Sequence, residues 1–163
     1  MSLQELPERL NAAAILVDSH LAEGRANKPA ILCGPRAVTY RDLHESVNRF
    51  GNALVGLGVR MEERVAILLP DSPECAFAFF GAMKIGAVAI PINTLLVAKD
   101  YEYLLNDSRA RVLVVDPAHV PVIAEIRSSL KFLKHVLVVG EACEGCLAWD
   151  RVVGEASPFL EPA

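Results

Sequence analysis

The chain has 163 residues, a formal net charge of −4 and a hydrophobic fraction of 53%. This length suits one domain, 1–163, and so apolar a composition excludes a disordered chain. The acidic balance excludes the basic surface of a nucleic-acid-binding protein. The apolar stretches are far shorter than the roughly 20 residues of a membrane-spanning helix. Glu5, Glu8 and Arg9 precede the first apolar segment, which is unlike a signal peptide, so we expect a cytoplasmic protein.

Helical and strand patterns alternate along the chain. Asn11 is placed to cap a first helix that Gly24 ends, and a hairpin with strands 29–33 and 37–40 follows. Helices are then predicted at 39–58, 72–86, 100–106, 120–130 and 149–153, and strands at 65–69, 87–92, 112–115 and 136–139. This alternation predicts an α/β fold: a doubly wound, mostly parallel sheet with helices on both faces.

Two of the predicted helices begin with strong local signals. Thr39 and Asp42 have the spacing of a capping box, and Ser72 followed by Pro73 combines a capping hydroxyl with a proline at the first helical position. Lys84 falls in the last turn of the second of these helices, where a cation suits the helix dipole. All of these residues are explained as scaffold.

Motifs that carry chemistry are almost absent. No phosphate-binding P-loop and no nucleophile elbow occurs. The glycines at 51, 56 and 58 lie inside and at the end of a helix, which indicates close packing and a C-terminal cap rather than a dinucleotide fingerprint. Asp116 follows a strand, where doubly wound folds place ligands, yet Asp-Pro at that point is more typical of a turn.

The histidines and cysteines also favour structural interpretations. His44 has no second metal ligand four residues on and is expected at the surface; His20, His119 and His135 are isolated and expected to be solvated. Cys143 and Cys146 form a Cys-x-x-Cys pair without the two further ligands that zinc requires. A thioredoxin-like pair would begin a helix, whereas this one lies in a turn with acidic neighbours, which predicts two reduced thiols in a loop.

Four segments in order resemble the adenylate-forming superfamily of acyl- and aryl-CoA ligases, luciferases and peptide-synthetase adenylation domains. They are Thr39–Leu43, Arg64–Glu74, Gly81–Asn93 and Leu105–Ala110. Two further details resemble the benzoate-type branch: Asn11 to Asp18, and Asn93-Thr94-Leu95-Leu96 followed by Asp100-Tyr101. The resemblance implies the N-terminal subdomain of an AMP-forming ligase for an aromatic carboxylic acid. A fatty-acyl-CoA ligase or another adenylating enzyme stays an alternative.

The resemblance also implies cofactors for a longer parent enzyme. ATP and Mg²⁺ would form an acyl-adenylate from the acid, and the CoA thiol would then displace AMP. The segments that hold these groups fall outside this chain, so we expect no catalytic residue, no metal ligand and no tightly bound cofactor in it, and no ligase activity from it alone. Asn93 and Thr94, after a strand end, are the candidates for the edge of a CoA tunnel.

The partners follow from the same expectation. An N-terminal fragment would pack against the remaining ligase subdomains, and we expect it to self-associate through the apolar patch that they would cover. Residues 157–163 show no capping or docking pattern, which favours a truncated chain with a loose tail. The rival from another class is a non-catalytic binding or dimerisation module that reuses this subdomain.

Overall fold

The computed structural model describes residues 10–141 and 143–163, and a five-stranded parallel sheet lies at its centre. Its strands are β3 (Arg64–Leu68), β4 (Val88–Pro91), β5 (Val112–Val115), β6 (His135–Val138) and β7 (Leu147–Ala148). They are hydrogen-bonded in the order β4-β3-β5-β6-β7, every neighbouring pair being parallel. A separate antiparallel hairpin joins β1 (Pro29–Cys33) to β2 (Arg36–Thr39).

Helices cover both faces of this sheet. They are a π-helical turn (Ala14–Asp18) that continues into α1 (Ser19–Ala22), α2 (Tyr40–Gly56), α3 (Pro73–Lys84), α4 (Ala98–Asp107), α5 (Val120–Ile126) between two 3-10 turns (Pro117–His119 and Arg127–Ser129), and α6 (Trp149–Gly154). In the described part of the chain, no helix is both long and apolar enough to cross a membrane. The predicted doubly wound α/β fold is therefore confirmed.

The central strands have two buried faces, which explains their uninterrupted apolar sequences. Val65 and Ile67 of β3 face the core beneath α2, α3 and α6, whereas Ala66 and Leu68 face the core beneath α4 and α5. On the first face, Phe50 and Trp149 stack with their ring centroids 4.8 Å apart. Such period-2 alternation buries every residue of the strand only when both faces are covered.

Glycine allows the close approach of α2 and α3. A Cβ atom on Gly81 would lie 2.8 Å from Cδ1 of Phe50 and 2.9 Å from the carbonyl oxygen of Val47. Gly51 lies opposite, with the Gly81 carbonyl oxygen 3.3 Å from where its own Cβ would be. Gly58, with φ +79°, ends α2. The predicted packing role of Gly51 and the capping role of Gly58 are confirmed, whereas a Cβ on Gly56 would meet nothing within 4 Å, so close packing does not explain that glycine.

The predicted helix caps are also present. The Thr39 hydroxyl accepts a hydrogen bond from the backbone N–H of Asp42 (3.2 Å), and the Asp42 carboxylate accepts one from the N–H of Thr39 (3.0 Å). Ser72 caps α3 by accepting from the N–H of Cys75 (3.3 Å), and Asn11 caps the first helix. These four-residue interactions can form before any tertiary contact.

Lys84 and His44 differ from prediction because their partners are distant in the sequence. The Lys84 side chain is 1% exposed, and its Nζ lies 2.7 and 2.8 Å from the two carboxylate oxygens of Asp18. His44 is half-buried beside the same carboxylate, with Nε2 3.6 Å from Asp18 Oδ1. The helix-dipole and surface interpretations were therefore incomplete for Lys84 and wrong for His44.

Residues 157–163 form an ordered C-terminal strap along α2, so the prediction of a loose tail without docking contacts is wrong. The Asn52 amide donates to the carbonyl oxygens of Ser157 and Phe159, both at 2.8 Å, and the Asn48 amide donates to that of Pro158 at 2.8 Å. The backbone N–H of Ala163 donates to the Lys84 carbonyl at 2.9 Å. Side chains of α2 thus donate hydrogen bonds to the backbone carbonyls of an extended segment that has no strand partner.

The segment around Cys143 and Cys146 corrects two further predictions. The structure joins these cysteines in a disulfide, with Cα atoms 5.3 Å apart, so the prediction of reduced thiols is wrong. A tight turn, in which the N–H of Cys146 donates to the Cys143 carbonyl at 3.0 Å, brings the two side chains together. Strand β7 follows at once and was not predicted, because two residues carry no periodicity.

Candidate functional site

The carboxyl ends of β3, β4 and β5 meet at one edge of the sheet. The chain passes from β3 to β4 on one side and then crosses back to β5 on the other, so the strand order reverses next to β3. Doubly wound folds bind ligands in the crevice outside such a reversal. Two connections border it here, the loop of residues 92–97 after β4 and the turn of residues 116–119 after β5.

Side chains hold the loop after β4 at three successive residues. The Asn93 side-chain oxygen accepts from the backbone N–H of Leu95 at 2.9 Å. The Tyr101 hydroxyl donates to the Asn93 carbonyl at 3.3 Å, and His119 Nε2 lies 2.9 Å from the Thr94 carbonyl oxygen. The backbone of this loop is therefore fixed from α4 and from the turn after β5.

Asp116 and His119 form a close pair at the same edge. Oδ1 of Asp116 accepts from the backbone N–H of His119 at 3.0 Å and lies 2.6 Å from its ring Nδ1. The predicted turn at Asp116 is confirmed, since its side chain caps the 3-10 turn that follows. The prediction that His119 is isolated and solvated is wrong: its side chain is 19% exposed.

Opposing effects determine the charge of His119. Partial burial lowers its pKa, but the hydrogen bonds to Asp116 and the Thr94 carbonyl, with the charge of Asp116, outweigh it and raise the pKa above the ordinary value. Burial also raises the pKa of Tyr101, and the charges of Asp116 and Asp100 add to that effect. The Tyr101 phenol therefore keeps the proton that it donates to Asn93.

The predicted candidates Asn93 and Thr94 thus lie beside Tyr101, Asp116 and His119, which sequence reasoning did not assign to the site. Asn93 is exposed and Thr94 half-buried. The spacing of an aspartate and a histidine three residues apart, directly after a buried strand, was the one available signal for the Asp116–His119 pair. Of the other histidines, His20 packs against Tyr40, with the ring centroids 3.9 Å apart and the planes tilted by 31°, so it is not isolated either.

The described residues do not offer a metal-binding set. Among residues 10–141 and 143–163 no group of three His, Cys, Asp or Glu side chains is arranged to hold a metal ion. The polar groups at the sheet edge are the amide, hydroxyl and carbonyl groups of the loop after β4 together with the Asp116–His119 pair, and such groups suit hydrogen bonding to an organic ligand.

A known family model covers most of this fold. The AMP-binding enzyme family matches residues 19–158, which include the whole sheet and both of its helical layers. The chain belongs to this family.

Relatives of this family member act on aromatic acids by name. The chain is 43% identical over 156 residues to 3-hydroxybenzoate–CoA ligase of Aromatoleum sp. (strain CIB), covering 94% of this chain and 30% of that protein. It is 41% identical over 159 residues to benzoate–CoA ligase of Thauera aromatica, with the same two coverages. The crystal structure of the anthranilate CoA ligase AuaEII in complex with anthranoyl-AMP superimposes with a TM-score of 0.93 at 44% identity, over 98% of this chain and 30% of that one. The chain thus spans about 30% of the length of these relatives.

Proposed function

We propose that this chain is the N-terminal part of an AMP-forming ligase that joins an aromatic carboxylic acid to CoA. The observation that carries the proposal is the identity of 41–44% across 94–98% of the chain to ligases named for hydroxybenzoate, benzoate and anthranilate. These matches span both helical layers and the sheet edge. We infer that the enzyme works in aromatic acid metabolism in the cytoplasm.

The proposed reaction has two steps. The acid carboxylate attacks the α-phosphate of ATP, forming an acyl-adenylate and releasing pyrophosphate; the CoA thiol then attacks the acyl carbon and AMP leaves. Mg²⁺ would supply charge stabilisation on the phosphates. Because the chain spans about 30% of the length of its relatives, we assign adenylation to the rest of the ligase and expect no turnover from residues 1–163 alone.

Within that enzyme we propose that Asn93 and Thr94 border the CoA tunnel. Their loop leaves the carboxyl end of β4 at the reversal of strand order, and its backbone is fixed by Tyr101 and His119. The Thr94 hydroxyl has no partner among the described residues, which leaves it available to a ligand. A fixed backbone beside a free hydroxyl can contact the amides of a pantetheine arm without first paying the entropy of ordering a loop.

A chimeric ligase tests the proposed function. Residues 1–163 replace the matching N-terminal 30% of the Aromatoleum 3-hydroxybenzoate–CoA ligase, and benzoate, 3-hydroxybenzoate and a long-chain fatty acid are assayed by CoA-dependent AMP release. We expect turnover of the aromatic acids. A folded chimera without any ligase activity would instead favour a non-catalytic module, and preference for the fatty acid would favour the fatty-acyl alternative. The isolated chain, assayed alongside, should be inactive.

The tunnel assignment has a separate test in the same chimera. Replacing Thr94 with Val removes the free hydroxyl and keeps the shape of the side chain, so the KM for CoA should rise several-fold while the rate of pyrophosphate exchange is unchanged. Ser128, exposed after α5, gives a matched control when replaced with Ala. An unchanged KM for CoA in both Thr94→Val and Asn93→Ala variants would remove this loop from the tunnel.

A further inference from the structure

The partners of the His119 ring are both hydrogen-bond acceptors. Nδ1 lies 2.6 Å from a carboxylate oxygen of Asp116, and Nε2 lies 2.9 Å from the carbonyl oxygen of Thr94. A neutral imidazole has one N–H donor, whereas an imidazolium has two. A neutral ring would therefore leave an unprotonated nitrogen facing one of these oxygens, lone pair against lone pair.

The groups packed against the ring leave the imidazolium as the form that fits. Tyr101 of α4 meets the ring edge to face, with centroids 6.3 Å apart, and its hydroxyl is already donated to the Asn93 carbonyl. Asp116, on the same turn, is the charged group in direct contact with the ring, and Asp100 lies near Tyr101. The charge that acts on the ring is therefore that of an acid, Asp116, and it favours the cation.

We propose that His119 is a positioning residue that, as an imidazolium, clamps the Asn93–Thr94 loop to the turn after β5, and that loss of its proton releases the loop and weakens CoA binding. The second half of this statement rests on the proposed function; the first half does not. The clamp links two connections that are 25 residues apart through the Thr94 carbonyl. One proton thereby controls the backbone position of a residue that we assign to the tunnel.

The clamp itself is tested by NMR of the ring nitrogens in the 163-residue chain. At pH 6.5 we expect both nitrogens of His119 to carry protons, with a titration midpoint that moves to lower pH in the Asp116→Asn variant. That variant keeps the size of the side chain and removes its charge. A His119 ring with a single proton at pH 6.5, or a midpoint that ignores Asp116→Asn, overturns the clamp.

The effect on CoA is tested in the chimeric ligase. His119→Gln should raise the KM for CoA about tenfold, the effect of losing a hydrogen bond of a charged donor, and should abolish the rise of that KM at alkaline pH. Pyrophosphate exchange should stay within about twofold of the parent's. His135→Gln, at the opposite end of the sheet, is the matched control and should change neither quantity.

The outcomes separate the two proposals. A doubly protonated ring together with a pH-independent KM for CoA overturns the link to CoA binding and leaves the clamp standing. An active ligase whose His119 ring is neutral at pH 6.5 overturns the clamp and leaves the proposed function standing. If His119→Gln does not fold, the shift of the alkaline rise in the Asp116→Asn ligase decides the same question: we expect it at lower pH, and an unmoved rise refutes the link.

Discussion

Two carboxylate–histidine contacts in this molecule have opposite electrostatic outcomes. At the sheet edge, Asp116 raises the pKa of His119; between the helices, Asp18 lies 3.6 Å from His44, yet the pKa of His44 is lowered. Burial is the main cause of the lowering, and the positive charge of Lys84 adds to it. Lys84 already neutralises Asp18, so a second cation there would be repelled. The charge of a histidine beside an acid thus depends on what else has paired with that acid.

The two regions also differ in the cation that pairs with the aspartate. In the helical layer the cation is Lys84, whose buried ammonium lies within 2.8 Å of both carboxylate oxygens of Asp18. At the sheet edge the cation is an imidazolium, which can lose its charge near neutral pH and so release the contact. The helical layer is therefore held by a buried ion pair, whereas the contact at the sheet edge is released when His119 loses its proton.

The largest expected effect on stability comes from breaking the Asp18–Lys84 ion pair. Asp18→Asn leaves the ammonium of Lys84 buried without a counter-charge, which should lower the free energy of unfolding by about 3 kcal/mol. Urea denaturation of the 163-residue chain measures it. The double variant Asp18→Asn/Lys84→Met removes the buried charge and should recover part of the loss. A single variant as stable as the parent would mean that the pair contributes nothing.

Separating α2 from α3, the helix that carries Lys84, should cost nearly as much stability. Gly81→Ala places a methyl group against Phe50 and the backbone of Val47, so α2 and α3 must move apart; we expect a loss of about 2 kcal/mol. Gly56→Ala is the matched control on α2, because a Cβ there meets nothing within 4 Å. It should be neutral or stabilising. Equal losses in both variants would contradict the close approach of α2 and α3.

Loosening the C-terminal strap from α2 should lower the stability by a smaller amount. Asn52→Ala removes the two hydrogen bonds that Asn52 donates to the strap and should lower the free energy of unfolding by about 1 kcal/mol. Residues 157–163 should also become accessible to carboxypeptidase sooner than in the parent chain. Digestion at an unchanged rate would show that the remaining contacts of the strap are sufficient.

The pH dependence of stability gives the smallest effects and the sharpest contrast. The pKa of His119 is raised on folding, so its stabilisation is complete below the unfolded-state pKa of about 6.5 and is lost as the pH rises through the folded-state value. The pKa of His44 is lowered, so its contribution is present above about pH 6.5 and is lost as the pH falls through its folded-state value.

Single replacements should therefore flatten opposite limbs of the pH–stability curve. His119→Gln should flatten the alkaline side, and His44→Gln the acid side, each by less than about 1 kcal/mol. Urea midpoints at intervals between pH 5 and 9 test both. If the two variants changed the same limb, the opposite protonation of the two histidines would be refuted.

Local chemistry explains how much of this molecule was predictable. The caps at Thr39 and Ser72 and the buried strand β5 involve partners within a few residues or a continuous apolar run, and their positions were predicted correctly. The Lys84–Asp18 pair spans 66 residues and the Asn48 bond to the strap spans 110, so no local pattern indicates either. At the candidate site, the loop after β4 was a candidate because it follows the end of a strand, whereas its contact with His119 depends on the parallel order of β4, β3 and β5.

The strap also brings distant parts of the chain to one point. The Asn11 amide donates to the Lys84 carbonyl at 3.0 Å and to that of Ala163 at 3.3 Å, at the last turn of α3. One side chain thus bridges the backbone at positions 11 and 163, so a short peptide link could join them, and the Gly34-Pro35 turn between β1 and β2 is an exposed place to open the backbone. The order of the elements along the polypeptide could thus be rotated while every strand kept its neighbours, because the architecture closes on itself although the chain is linear.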